Sequence, residues 1–198
     1  GVVFDHSALA RQYRGNLGAG EISHSYNWFD PQGSLLAPTD TNGHGTHTMG
    51  TIVGRGAGTP EQPSFGVAPG ARWIAAQGCQ NIVCPEFDLI AAAQWLLAPT
   101  DLAGENPRPD LRPMIVNNSW AGAGGNDWYA GYTAAWRAAG IFPVFAAGNA
   151  DTARSQSCSS ISSPGDYPDV VAVGATDSAD TVANFSLLGP AADGRLKP

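Results

Sequence analysis

The chain has 198 residues, 43% of them hydrophobic, and a net charge of −7, which is enough for one domain with a substantial core. Seventeen acidic side chains stand against ten basic ones, Lys197 is the only lysine, and no basic run occurs, so nucleic acid is excluded as a partner. Apolar runs fall short of the roughly eighteen residues that a membrane span needs, and no basic region followed by an apolar segment and a cleavage site opens the sequence.

In chain order, Val2 reads as the tail of a strand. The stretch "HTMGTIVG" reads as a helix opening after Asn42 and Gly43. Ala71–Gln77 reads as a strand, Glu86–Leu97 as a helix and Met114–Trp120 as a strand. Asp127–Gly140 reads as a helix with an aromatic face that stops at Gly140, and "IFPVFAA" and "VVAVGA" as two further strands. Strands that alternate with helices predict an α/β fold with a mainly parallel sheet covered on both faces. Loops rich in Pro and Gly separate these elements, at Arg55–Gly70, Pro99–Pro113 and Asp151–Asp169, and loops of that length are more often functional than idle. The three cysteines are an odd count. The Cys79-x4-Cys84 spacing suits a local disulfide and a plain pair of thiols equally, and it lacks the second pair of a zinc ribbon.

Ligands of open parallel sheets bind outside the carboxyl ends of the strands, which singles out three stretches. After Trp120 the sequence "SWAGAGG" is glycine-rich but has neither phosphate-binding signature. Exposed backbone along Ser119, Trp120, Ala121 and Gly122 could instead pair with an extended peptide. "VFAAGNAD" ends a buried strand at Gly148 and Asn149. Asn after Gly is a common turn, and its side-chain amide could equally donate to a developing oxyanion. In "DTNGHGTHTMGTIVG", His44 and His47 share a helix face and could form half of a metal site, but no third ligand stands at a fitting spacing. General base is the better use for His44, with the glycines on both sides keeping a cleft open. His47, one turn further in, is expected to hydrogen-bond inside the fold. His6 and His24 show no such setting.

Taken together, "NGHGTH", "NNSW" with its glycine-rich sequel and "FAAGN" resemble the subtilisin-like serine proteases in order and in strand position. "GVAPGA", "YPDVVAVGA" and "FSLLGPAADGRLKP" are further similar segments. "HSALARQYRG" and "SYNWFDPQG" resemble the bacillopeptidase F-like branch. The resemblance runs over nearly the whole chain. It implies a three-layer fold with a mainly parallel sheet and helices on both faces, and an endopeptidase acting on protein or peptide substrates. It further implies secretion and no cofactor for the chemistry, while structural calcium, which many relatives use, is not legible from spacing. Residue by residue, His44 matches the family's general base and Asn149 its oxyanion donor. Ser119–Gly122 match the edge that pairs with the substrate backbone beside the first specificity pocket, with Ala147, Gly148 and Asn149 as the opposite wall.

Some features depart from the family. Aligning Gly1 on the glycine of D-[ST]-G leaves the triad aspartate two residues upstream, and Asp5 falls in the wrong place. The G-T-S motif of the nucleophile would follow "LKP", and Ser119 and Ser186 lie in other motifs. The expectation is therefore an incomplete chain, truncated at both ends, which does not hydrolyse peptides alone and leaves apolar surface of its sheet uncovered. The rival is a domain that has lost catalysis and only binds peptides. Ala121 stands where the family usually has glycine and would be strained if its φ were positive. Leu187 and Leu188 replace small or charged residues.

Overall fold

Aromatic side chains organise the first part of the chain. The computed structural model describes residues 1–56, 64–81 and 83–198, and the predicted loop Arg55–Gly70 lies partly outside them. Within Gly1–Pro113, the first of two units, Tyr13, Trp28 and Trp73 pack with Val2, Leu9, Val53 and Ala75. Each indole and phenol finds a polar partner as it is buried. Trp28 Nε1 donates to Leu35 O at 2.8 Å, Trp73 Nε1 to Leu9 O at 3.0 Å, and the Tyr13 hydroxyl lies 2.9 Å from His24 Nδ1.

Strands in this unit are short. β1 (Asn16–Gly18) and β2 (Glu21–Ile22) pair antiparallel, and β3 (Trp28–Phe29) pairs parallel with β4 (Ala75–Ala76). The strand expected over Ala71–Gln77 is thus confined to Ala75 and Ala76, with one further bridge from Trp73 to Tyr13. Val2 is not in a strand, because the neighbouring Val3 N–H donates to the Thr46 hydroxyl instead of to a ladder.

Helix α1 (His44–Val53) contains two glycines and three threonines, a poor intrinsic helix former. Packing sustains it: Met49, Ile52 and Val53 form the stripe that meets the aromatic core. Helix α2 (Glu86–Leu97) has the bounds expected from its pattern. Pro85 fixes the entry, Glu86 and Asp88 sit in the first turn where the helix dipole favours negative charge, and Leu89, Ala92, Ala93, Trp95 and Leu96 are buried. Trp95 stacks on Phe29 of β3 with ring centroids 5.5 Å apart, and the buried Asp88 accepts a hydrogen bond from Gln32 at 2.7 Å.

The second unit, Met114–Pro198, holds a parallel sheet in the order β5 (Ile115–Asn118), β6 (Phe142–Ala146), β7 (Val171–Val173). Helix α3 (Ala130–Ala138) crosses between β5 and β6 and stops ahead of Gly140. Strand alternation divides the sheet. Val116 and Asn118 of β5 and Pro143 and Phe145 of β6 are buried, with Trp120, Tyr129 and Trp136 packed around Phe145. In register on the opposite face lie Ile115, Asn117 with Val144 and Val171, and Ala146 with Val173. There Ile115 is 63% exposed and Val173 52% exposed. One apolar face of the sheet is therefore left uncovered, as the sequence led us to expect.

Candidate active site

The start of α1 is locked from outside the helix. Asp40 Oδ1 accepts the N–H groups of Asn42 (3.1 Å) and Gly43 (2.9 Å), while Oδ2 accepts the N–H (2.9 Å) and hydroxyl (2.7 Å) of Thr46. One carboxylate thus satisfies donors that a helix N-terminus leaves unpaired. Burial alone would raise its pKa, but the bonds from Thr46, Gly43 and Asn42 outweigh that and hold the carboxyl below its ordinary value. The Thr46 oxygen also accepts the Val3 N–H at 3.0 Å, which ties the first residues of the chain to the helix.

His44 is the first helical residue and is exposed. The two flanking glycines have separate backbone requirements. Gly43 adopts φ of 87°, a left-handed conformation that sets the entry angle of the helix and disfavours a side chain. At Gly45 a Cβ would collide with the carbonyl oxygen of Gly1. His47 is exposed on the next turn, so the expectation that it hydrogen-bonds inside the fold is corrected. The core stripe of α1 runs along Met49, Ile52 and Val53, and three residues on from His44 the helix still faces water.

In the second unit, β5 and β6 run out side by side. Ser119 is exposed, and its oxygen accepts a bond from Asn117 Nδ2 at 2.9 Å. The Trp120 ring packs edge-on to Tyr129 and Phe145 at 5.1 and 5.3 Å. Ala121 is not among the residues with positive φ, and the strain that its replacement of glycine could have imposed does not arise. Gly122 N donates to Ser163 O at 2.8 Å.

Across from this edge, Ala147 and Gly148 are buried and Asn149 is exposed. Gly148 has φ of 97°, and a Cβ there would stand 2.5 Å from Ser162 Oγ and 3.0 Å from Leu187 Cδ1. Leu187, fully buried, also donates its N–H to Gly148 O at 3.0 Å, so the departure from a small residue fills space beneath the turn. Asn149 lines a concavity of about 250 Å³ on the open face together with Asn117, Ser119, Val173 and Ser186.

Asn149 and the Ser119–Gly122, Ala147–Gly148 group lie in one unit, and His44 belongs to the other. Ser186 is buried and its oxygen accepts the Ala175 N–H at 3.0 Å, and all four histidines belong to the first unit. Asp5 is exposed in a turn. Among the described residues no three His, Cys, Asp or Glu side chains converge as a metal site. Cys79 and Cys84 form a disulfide and Cys158 is an exposed free thiol, which resolves the alternatives left by their spacing. Two features escaped the sequence. Asp40 was detectable in principle, since an aspartate just ahead of a glycine and a helix often caps through its side chain. Arg154, which reaches Gly122 O and Ser162 Oγ from a loop, carried no local signal.

The family model described as the subtilase family matches residues 1–198. Bacillopeptidase F of Bacillus subtilis (strain 168) is 42% identical over 201 residues, covering 100% of this chain and 14% of that protein. Subtilisin-like protease 1 of Trichophyton equinum is 34% identical over 158 residues, covering 78% of this chain and 27% of that protein. The solved structure of the prenylagaramide maturation protease PagA shares the fold, with a TM-score of 0.63 at 19% identity over 96% of this chain and 56% of that one. The chain thus spans only a minor part of the length of these two sequence relatives.

Proposed function

Because the chain belongs to the subtilase family, whose α/β fold it shares, we propose that it supplies the general base and the oxyanion donor of a secreted serine endopeptidase. In the complete enzyme a serine Oγ attacks the peptide carbonyl carbon, His44 takes the hydroxyl proton and later returns it to the leaving amine, and Asn149 Nδ2 donates to the oxyanion. The observation that carries the reading is the pairing of a full-chain family match with an exposed His44 on a helix start fixed by four bonds to Asp40.

Two further observations support it. The backbone of Gly1 packs against Gly45, in the first turn of α1 next to His44. The concavity lined by Asn149 opens on the uncovered sheet face, which leaves room for a segment bearing the nucleophile. Secretion accords with the Cys79–Cys84 disulfide, since such bonds persist in oxidising compartments.

The test is made on the complete coding chain with a peptide amide substrate. His44→Ala should abolish turnover, and Asn149→Ala should lower kcat by roughly 10²–10³ with little change in KM. That magnitude is the one known for subtilisin itself and is not worked from this structure. A serine-directed phosphonate should block the wild type. Full activity in His44→Ala, or loss of activity to a chelator with no effect of the phosphonate, refutes the reading. Peptide binding without cleavage identifies a binding domain instead.

A further inference from the structure

Three segments of the second unit meet where the edge Ser119–Gly122 faces Ala147–Asn149. Ser162 N donates to Ala147 O at 2.9 Å and Gly122 N donates to Ser163 O at 2.8 Å, so Ser162 and Ser163 stand between the two walls. Ser162 is fully buried, and Gly148 is packed so tightly on its hydroxyl that a Cβ at 148 would lie 2.5 Å away. Into this end of the slot reaches one cation. Arg154 Nη1 donates to Gly122 O at 2.8 Å and to Ser162 Oγ at 2.9 Å, touching both walls at once.

Asp151 holds the guanidinium there. Its Oδ1 accepts the N–H groups of Ala153 (2.8 Å) and Arg154 (2.9 Å), which shapes the loop, and its Oδ2 accepts Arg154 Nε (3.2 Å) and Nη2 (2.9 Å). A guanidinium has five N–H donors in a planar fork. Asp151 takes the edge formed by Nε and one Nη2 hydrogen, and Nη1 uses both of its own. The remaining Nη2 hydrogen lies on the Nη1 side, the edge that faces away from Asp151. The Arg154 side chain is 35% exposed, so the cation is held in place without being sealed off.

We propose that Arg154 is the specificity-determining residue of the primary pocket and that it selects an acidic side chain at the residue whose carbonyl is cleaved. This rests on the protease reading above and adds its substrate class. A carboxylate entering between the two walls would accept the open Nη2–H. It would stand closer to the cation than to the Asp151 carboxylate, which engages the opposite edge, so attraction outweighs repulsion. An arginine or lysine would meet a like charge. A large aromatic ring would have to pull Nη1 off Gly122 O and Ser162 Oγ, leaving a buried hydroxyl and a carbonyl without their donor.

The experiment uses the complete protease and four peptide amides that differ only in that residue: glutamate, leucine, phenylalanine and arginine. The expected order of kcat/KM puts glutamate about tenfold or more above the other three. Arg154→Ala should lower the glutamate rate about tenfold more than the leucine rate, any fall in the leucine rate reporting the loss of the bonds to Gly122 and Ser162. Arg154→Lys keeps the charge and should keep glutamate first among the four, so it carries the test if the alanine variant does not fold. A wild-type preference for arginine or phenylalanine overturns the assignment, as does a glutamate to leucine ratio unchanged in Arg154→Ala. If leucine, phenylalanine or arginine is cleaved, the protease reading stands whatever becomes of Arg154. If none of the four is cleaved and the phosphonate labels nothing, both fall together.

Discussion

Replacing Asp40 by asparagine isolates the lock on α1. The carboxylate accepts four bonds, two on each oxygen. An asparagine whose carbonyl stays on Asn42 and Gly43 turns its amide toward Thr46, where it meets two donors and can accept neither. The lost Thr46 N–H bond corresponds to an N-terminal cap, about 1 kcal/mol, and the lost hydroxyl to carboxylate bond contributes about 1 kcal/mol more after allowance for partial exposure. A total of about 2 kcal/mol is a local opening equilibrium shifted roughly thirtyfold. Amide hydrogen exchange on the purified chain, corrected for intrinsic rates, reads this directly. The Thr46 amide should lose about thirtyfold in protection and Val3, which donates to the Thr46 oxygen, nearly as much. Trp73, whose N–H donates to Gln12 O at 2.9 Å away from this lock, should be unchanged.

The sign with pH follows from the depressed folded pKa of Asp40. Its stabilisation is complete above the ordinary carboxylate value of about 3.9 and is lost as pH falls through the folded pKa, so wild type and variant should converge there. Equal protection at pH 7, or a difference that survives below the folded pKa, would refute the reasoning.

Gly45→Ala should destabilise by about 1–3 kcal/mol, because the Cβ meets the backbone of Gly1 and not a flexible side chain; an unchanged urea midpoint would count against that contact. Burial lowers the pKa of His24, which faces the Tyr13 hydroxyl, so the neutral ring is favoured in the fold. Stability is therefore full above about pH 6.5 and falls as pH drops through the lowered value, and His24→Phe should flatten urea midpoints between about pH 7.5 and 5. The open sheet face should bind a hydrophobic dye, and the double variant Ile115→Thr, Val173→Thr should reduce the binding without lowering the unfolding midpoint, since both side chains are more than half exposed.

Legibility followed the range of the forces involved. Helix α2 could be bounded to the residue because proline, acidic first turn and apolar stripe are all local. Helix α3 was found but drawn too long, since Asp127–Tyr129 approach it as a turn and Tyr129 is its cap. The strand at Ala71–Gln77 shrank because its partner, Trp28–Phe29, pairs over only two residues and carried no strand pattern of its own. His44 and Asn149 were visible because each sits in a motif at an element boundary. The bond from Val3 to Thr46 and the reach of Arg154 to Gly122 join segments far apart in sequence, and no spacing announces them.

The two glycines around His44 would look identical in any mutational screen, since both positions reject alanine. Stereochemistry separates them. In a chain assembled by chemical ligation, D-alanine at position 43 finds the positive φ it prefers. It should stabilise by about 0.4–1 kcal/mol by narrowing the unfolded ensemble. At position 45 neither hand is favoured: the L-residue strikes Gly1, and the D-residue opposes the helix that carries it. The imidazole between them can therefore be stiffened from one side only.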